Sequence, residues 1–139
     1  MAEVTVRSRT GLTHEVIARG HELLADEPPP AGADLGSTPY ELLLGALGAC
    51  TAMTLRLYAD RKEWPLRGVE VVLRHDRIHA RDCAECDTRD DVFLDRITKR
   101  ITLDGDLSSE QRRRLAEIAE RCPVQRTLQN QVLIEQTLG

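Results

Sequence analysis

The chain has 139 residues, a formal net charge of −4, and 41% apolar but only 3% aromatic residues. That length supports one hydrophobic core, so 1–139 reads as a single domain built on Leu, Val, Ile and Ala. Charges of both signs are interspersed, Arg112-Arg113-Arg114 is the one basic run, and almost no aromatic surface exists for base stacking, which argues against a nucleic-acid partner. The start, MAEVTVRS, lacks a charged leader followed by an apolar stretch, and no apolar run approaches the roughly 20 residues of a membrane span. A soluble, cytoplasmic chain without a membrane partner is expected.

In chain order, the first 25 residues read as strands: Val4 and Val6 alternate with polar neighbours, Thr10-Gly11 turns, and EVIA and HELLA flank Gly20. A loop from Asp26 to Ser37, with three prolines and two glycines, follows. Thr38-Pro39-Tyr40-Glu41 is a helix start: Thr38 caps, Pro39 suits the first turn and Glu41 completes a capping box. The helix should run to about Lys62, before Trp64-Pro65. Its first half, ELLLGALGACTAM, is apolar or small on every side and calls for enclosure by a second subunit, with Gly45, Gly48, Ala49 and Ala52 allowing close approach.

A strand starts at Val69 and extends to His79; a polar loop, RDCAECDTRDD, leads to a strand from Phe93 to Leu103 and a turn at Asp104-Gly105. Ser108, with Gln111, caps a second helix whose Leu115, Ile118, Ala119 and Cys122 form one apolar stripe. Pro123 restarts the chain as a short helical turn, and Val132-Leu133-Ile134 is expected to be a final strand. The order β-β-β-α-β-β-α-α-β is an α+β pattern.

The four cysteines are too few to staple a chain of this length, leaving core packing, metal binding or redox chemistry. Cys50, mid-helix, reads as a small core residue or a nucleophile. Cys122 stands at the cap position of the turn begun by Pro123, where backbone N–H groups favour a thiolate; the alternative is a packed helix junction. Arg121 and Arg126 are close in sequence. Cys83-Ala84-Glu85-Cys86, preceded by His75 and His79, offers four possible zinc ligands within twelve residues. Its histidines would sit on a strand, without a second C-x-x-C, and a solvated loop without metal is favoured over a zinc protein. Glu41 is a candidate acid-base residue, but at about 100° and about 1.5 Å per residue it lies across the helix from Cys50 and about 13 Å away, so the cap role is preferred. A lowered Cys50 pKa requires a cation, for which Arg9, Arg19 and Arg126 are the candidates.

STPYELLLGALGACTAMTLRLYADRKEWPLRGVEV and GDLSSEQRRRLAEIAERCPVQRTL resemble the OsmC/Ohr family, in particular its OsmC-like branch. There a helix of the form P-x-E-L-L-x-A-A-x-G-x-C carries a first cysteine, matched by Cys50, and C-P-V-x-R-T-L carries a second, matched by Cys122. The resemblance implies an intertwined homodimer with two long central helices wrapped by antiparallel-rich sheets. It also implies a thiol-dependent peroxidase of oxidative-stress defence acting on organic hydroperoxides or hydrogen peroxide. Cys50 would be the peroxidatic thiol, Cys122 the resolving one, and an external dithiol of lipoyl or thioredoxin type the reductant, with no cofactor. In well-studied members an arginine from an N-terminal loop and a glutamate ten residues before the first cysteine activate the thiol. Here Tyr40 occupies that spacing, Glu41 follows it, and the 26–37 loop has no arginine. Gln125 stands where the branch often has histidine. These departures keep a second reading open, a redox-sensing or small-ligand-binding dimer without turnover.

Overall fold

The structure is a computed structural model that describes residues 1–79 and 93–139. Eight elements follow in the order β1 (Thr5–Ser8), β2 (His14–Ala18), β3 (His21–Ala25), α1 (Pro39–Lys62), β4 (Leu66–His79), β5 (Phe93–Gly105), α2 (Ser109–Ala119) and α3 (Pro123–Gln129). They divide into two compact units, Met1–Leu44 and Gly45–Gly139.

The first unit holds an antiparallel meander, β1-β2-β3. Arg19 and Gly20 both take positive φ (50° and 82°), the left-handed pair that a tight hairpin turn requires. The 26–37 loop is organised by Asp26, only 2% exposed. Its carboxylate accepts from the Thr13 hydroxyl at 2.8 Å and from the Glu27 and Leu35 amides at 2.8 and 3.2 Å. Those amide bonds, led by Glu27, together with Thr13, hold the Asp26 carboxyl below its ordinary range despite burial. The Asp26 amide itself donates to Ser37 O at 3.1 Å, so both ends of the loop are tied. The capping box forms as expected: Thr38 N–H donates to Glu41 Oε1 at 2.7 Å and Glu41 N–H to Thr38 Oγ1 at 3.2 Å.

The second unit builds its core from Leu55 and Ala59 of α1, Leu66 of β4, and Leu115, Ile118 and Ala119 of α2. On β5, Ile97, Lys99, Ile101 and Leu103 turn inward while their neighbours are exposed, the period-2 signature of a strand with one covered face. β4 and β5 pair antiparallel from Leu66↔Gly105 to His79↔Phe93, with a bulge between Leu66 and Gly68. Gly105 (φ 152°) is required there, because a Cβ would strike the Pro65 carbonyl. Gly48 of α1 lies against Leu73 of β4, where a Cβ would come within 2.7 Å of Leu73 Cδ1. α2 carries the expected box, with Ser108 N–H donating to Gln111 Oε1 at 2.9 Å and Gln111 N–H to Ser108 Oγ at 3.1 Å.

Two expectations are corrected. The final strand does not form: residues 131–139 are in no helix or strand, and Val132, Leu133, Ile134 and Leu138 are exposed. A strand exists only where a partner takes its backbone hydrogen bonds, and among the described residues none is placed beside this segment. Second, α1 is long and apolar enough, by length and composition, to cross a membrane. Leu47, Gly48, Thr51, Leu55 and Ala59 nevertheless form a buried stripe along it, the pattern of a core helix. Met53 and Leu57, 65% and 71% exposed, lie on its open side.

Candidate dithiol site

Cys50 and Cys122, 72 positions apart in sequence, meet in the second unit. The hydrogen-bonded backbone of α1 carries Cys50, half-buried, one residue before the inward Thr51. Cys122 is fully buried, beyond the end of α2 and at the cap of α3, with Pro123 in the first turn as expected. Both thiols are free, and each shifts the acidity of the other.

Their surroundings differ. Burial pushes the Cys122 thiol up. The Cys50 thiol, the Gln125 amide, the Thr51 hydroxyl and the Val124 amide together outweigh that, so Cys122 ends below its ordinary value. Its sulfur faces the α3 amides without closing a conventional capping hydrogen bond, so they act mainly as oriented dipoles. Burial and the neighbouring Cys122 push Cys50 up; the Val124 amide and the Thr54 hydroxyl only partly oppose this. Protons on such a pair belong to the pair, and in its mono-anion the charge rests on Cys122 while Cys50 keeps the proton. A lowered Cys50 is expected only where a cation reaches it, and no cation stands among the groups that shift it. It has fewer donors than Cys122 and carries the cost of its partner's charge.

Within the second unit a lysine, not among the cations expected from the sequence, stands beside the pair. Lys99 projects from the inward face of β5, and its Nζ donates to Thr51 Oγ1 at 3.0 Å and to Ala119 O at 3.1 Å. Burial lowers its pKa, while Cys122, Glu120 and Cys50 pull it back up. Arg9 pairs with Glu15 at 3.5 Å and Arg19 occupies the exposed β2–β3 turn, both in the first unit; Arg126 is exposed on α3. Glu41 is committed to the α1 capping box. The sequence does carry a signal for Lys99: Ile97-x-Lys99-x-Ile101-x-Leu103 places a lysine in an apolar register, and such a position demands a partner. Thr51 is similarly legible in the i, i+4 stripe Leu47, Thr51, Leu55, Ala59. Gln125 adds a buried side-chain oxygen with no hydrogen-bond partner among the described residues.

The alternative zinc set is not assembled among the described residues. His75 Nε2 lies 2.8 Å from Asp95 Oδ1, and the His79 ring packs edge-on against Phe93 with centroids 5.3 Å apart. Cys83 and Cys86 lie outside the described residues.

A family model described as OsmC-like protein matches residues 32–137. The chain belongs to the OsmC-like family. Solved structures agree on the fold. An OsmC-like protein from Mycoplasma pneumoniae aligns with TM-score 0.74 at 21% identity, over 93% of this chain and 87% of its own. An organic hydroperoxide resistance protein, OsmC, from Legionella pneumophila aligns with TM-score 0.65 at 17% identity, over 92% and 88%. The organic hydroperoxide resistance protein OhrB of Bacillus subtilis aligns with TM-score 0.59 at 19% identity, over 91% and 89%. No functionally curated protein matches by sequence. The α+β class is thus the OsmC/Ohr fold.

Proposed function

We propose that this chain is a thiol-dependent peroxidase that reduces organic hydroperoxides or hydrogen peroxide through a Cys50–Cys122 dithiol–disulfide cycle. The observation that carries the reading is the facing pair of free thiols, one half-exposed and one buried and charge-stabilised. Acidity and access fall on different sulfurs, and a proton passing from Cys50 to Cys122 reconciles them. When Cys122 takes the proton, Cys50 becomes the thiolate and is the one a peroxide reaches. It attacks the distal oxygen, the O–O bond breaks, the alcohol leaves after taking a proton, and Cys50 becomes a sulfenic acid. Cys122 then attacks the Cys50 sulfur and loses its proton; water departs and the disulfide forms. An external dithiol, of lipoyl or thioredoxin type, takes up the oxidising equivalents and restores both thiols.

The active form is proposed to be a cytoplasmic homodimer. Met53 and Leu57 stand exposed beside an open apolar hollow of about 460 Å³ lined with Ala52, Arg56 and Val69. That hollow contains neither cysteine, so it is read as surface for a second copy and not as the reaction chamber. The exposed apolar tail carrying Val132, Leu133 and Ile134 is a second such surface.

The raised Cys50 thiol favours one rival, a redox-sensing dimer without turnover. Peroxide consumption with dihydrolipoamide separates the two. Multiple turnovers by the wild type and none by Cys50→Ser support the peroxidase. A single equivalent consumed, with the disulfide persisting against excess dithiol, supports the sensor.

A further inference from the structure

We propose that Lys99 is a positioning residue for the dithiol: its ammonium, anchored between α1 and α2, fixes the negative charge of the reduced pair on Cys122. The inference rests on the reading of Cys50 and Cys122 as a redox pair, and concerns which sulfur is charged before any peroxide arrives.

Three observations converge on it. Lys99 lies in the covered register of β5, where its flanking inward residues are Ile97 and Ile101 and its register partner on β4 is Leu73. A half-buried ammonium in such a place is costly unless its donors are used and an anion faces it. Two of its three N–H groups are used, on Thr51 Oγ1 at 3.0 Å and on Ala119 O at 3.1 Å. The charged and titratable groups acting on it are Cys122, Glu120 and Cys50, of which Cys122 acts most strongly.

The Thr51 hydroxyl accepts from Lys99 and gives its single proton to Leu47 O at 2.9 Å, so it ties the ammonium to α1 one residue from Cys50. The bond to Ala119 O holds the last turn of α2, three residues before Cys122, so the same ammonium fixes where that sulfur sits. Lysine at a helix C-terminus also opposes the negative end of the helix dipole. The ammonium thus joins all three elements around the pair and favours one microstate of it.

Thiolate absorbance near 240 nm, followed against pH without peroxide, tests this in a Cys83→Ser, Cys86→Ser background where Cys50 and Cys122 are the only thiols. The parent should show one thiolate per chain appearing below the ordinary cysteine range. Lys99→Met should move that midpoint up by about one pH unit or more, roughly tenfold less thiolate at a given pH below it. Lys99→Arg, which keeps the charge, should move it less. Superimposable curves for parent and Lys99→Met, or equal shifts for the Met and Arg variants, would overturn the proposal. Should Lys99→Met not fold, the ¹⁵Nζ resonance of Lys99 in the parent serves instead. An inflection at the pH of the first thiolate supports the coupling, and a flat response across it refutes the coupling. Because no peroxide is present, a normal Lys99-dependent titration in a chain that turns over no peroxide would sink the peroxidase reading alone.

Discussion

Among the described residues, each of the two units holds a buried acidic group whose charged form its surroundings favour, and the contrast between them separates architecture from chemistry. Asp26 in the first unit is surrounded by committed donors, the Thr13 hydroxyl and the Glu27 and Leu35 amides, and its charge has nowhere to go. The dithiol in the second unit has donors too, but one of them is another thiol, so the charge can move from one sulfur to the other. Fully satisfied, a buried charge fixes a loop; shared between two like groups, it becomes a reactant.

The largest expected effect comes from removing one member of the shared pair. Cys50→Ser should lower peroxide turnover by on the order of 1000-fold or more, since no other reachable thiolate remains at the site. Cys122→Ser should keep a first turnover and leave a sulfenic acid on Cys50 that a dimedone-type probe traps. If Cys122 is instead the residue that becomes sulfenic in wild type, the assigned roles are reversed. Next in size is the subunit surface. Leu57→Glu, which puts a charge on the open side of α1, should convert a stable dimer into monomer or aggregate in sedimentation. An unchanged dimer would mean that another face, such as the apolar tail, supplies the interface.

For the first unit, Asp26→Asn should leave the thiol titration untouched and loosen the 26–37 loop, with amide exchange at Glu27 and Leu35 faster by on the order of tenfold. The pH dependence has a definite sign. The Asp26 pKa is lowered from 3.8 on folding. Its contribution to stability is therefore complete above the ordinary carboxylate range and is lost as pH falls through the lower, folded value. Wild type should thus be destabilised by acid through this group and Asp26→Asn should not. Parallel acid-unfolding curves for the two would remove Asp26 as the cause.

Much of the framework around both centres is legible in the amino-acid sequence. Both capping boxes, the extent of α1 and the cap position of Cys122 follow from local chemistry, where a residue and its partner lie within four positions, and the strands up to Ala25 follow from alternation and turn residues along the chain. What escapes such reasoning is long-range. The Lys99 partners Thr51 and Ala119 are 48 and 20 residues away, and no local rule pairs them. Thr13 meets Asp26 thirteen residues on for the same reason. The failed strand at Val132–Ile134 is the converse case: its apolar run is plain, but strand formation depends on a neighbour that sequence does not display.

The smallest effect tests whether the two capping boxes matter equally. Thr38–Glu41 and Ser108–Gln111 have the same design and similar distances. Their contexts differ. α1 runs for 24 residues and α2 for only 11, so α2 has less backbone to stabilise it and depends more on each end. α2 also carries Leu115 and Ile118 into the core and leads directly to Cys122, so fraying at its start loosens the segment that places the sulfur. Ser108→Ala should cost about 1 kcal/mol in urea unfolding, with Thr38→Ala at or below that. Only Ser108→Ala should also shift the thiolate titration, by a fraction of a pH unit, because it lies in the same unit as the pair. A titration moved by Thr38→Ala but not by Ser108→Ala would show that the start of α1, and not α2, governs the alignment of the two sulfurs.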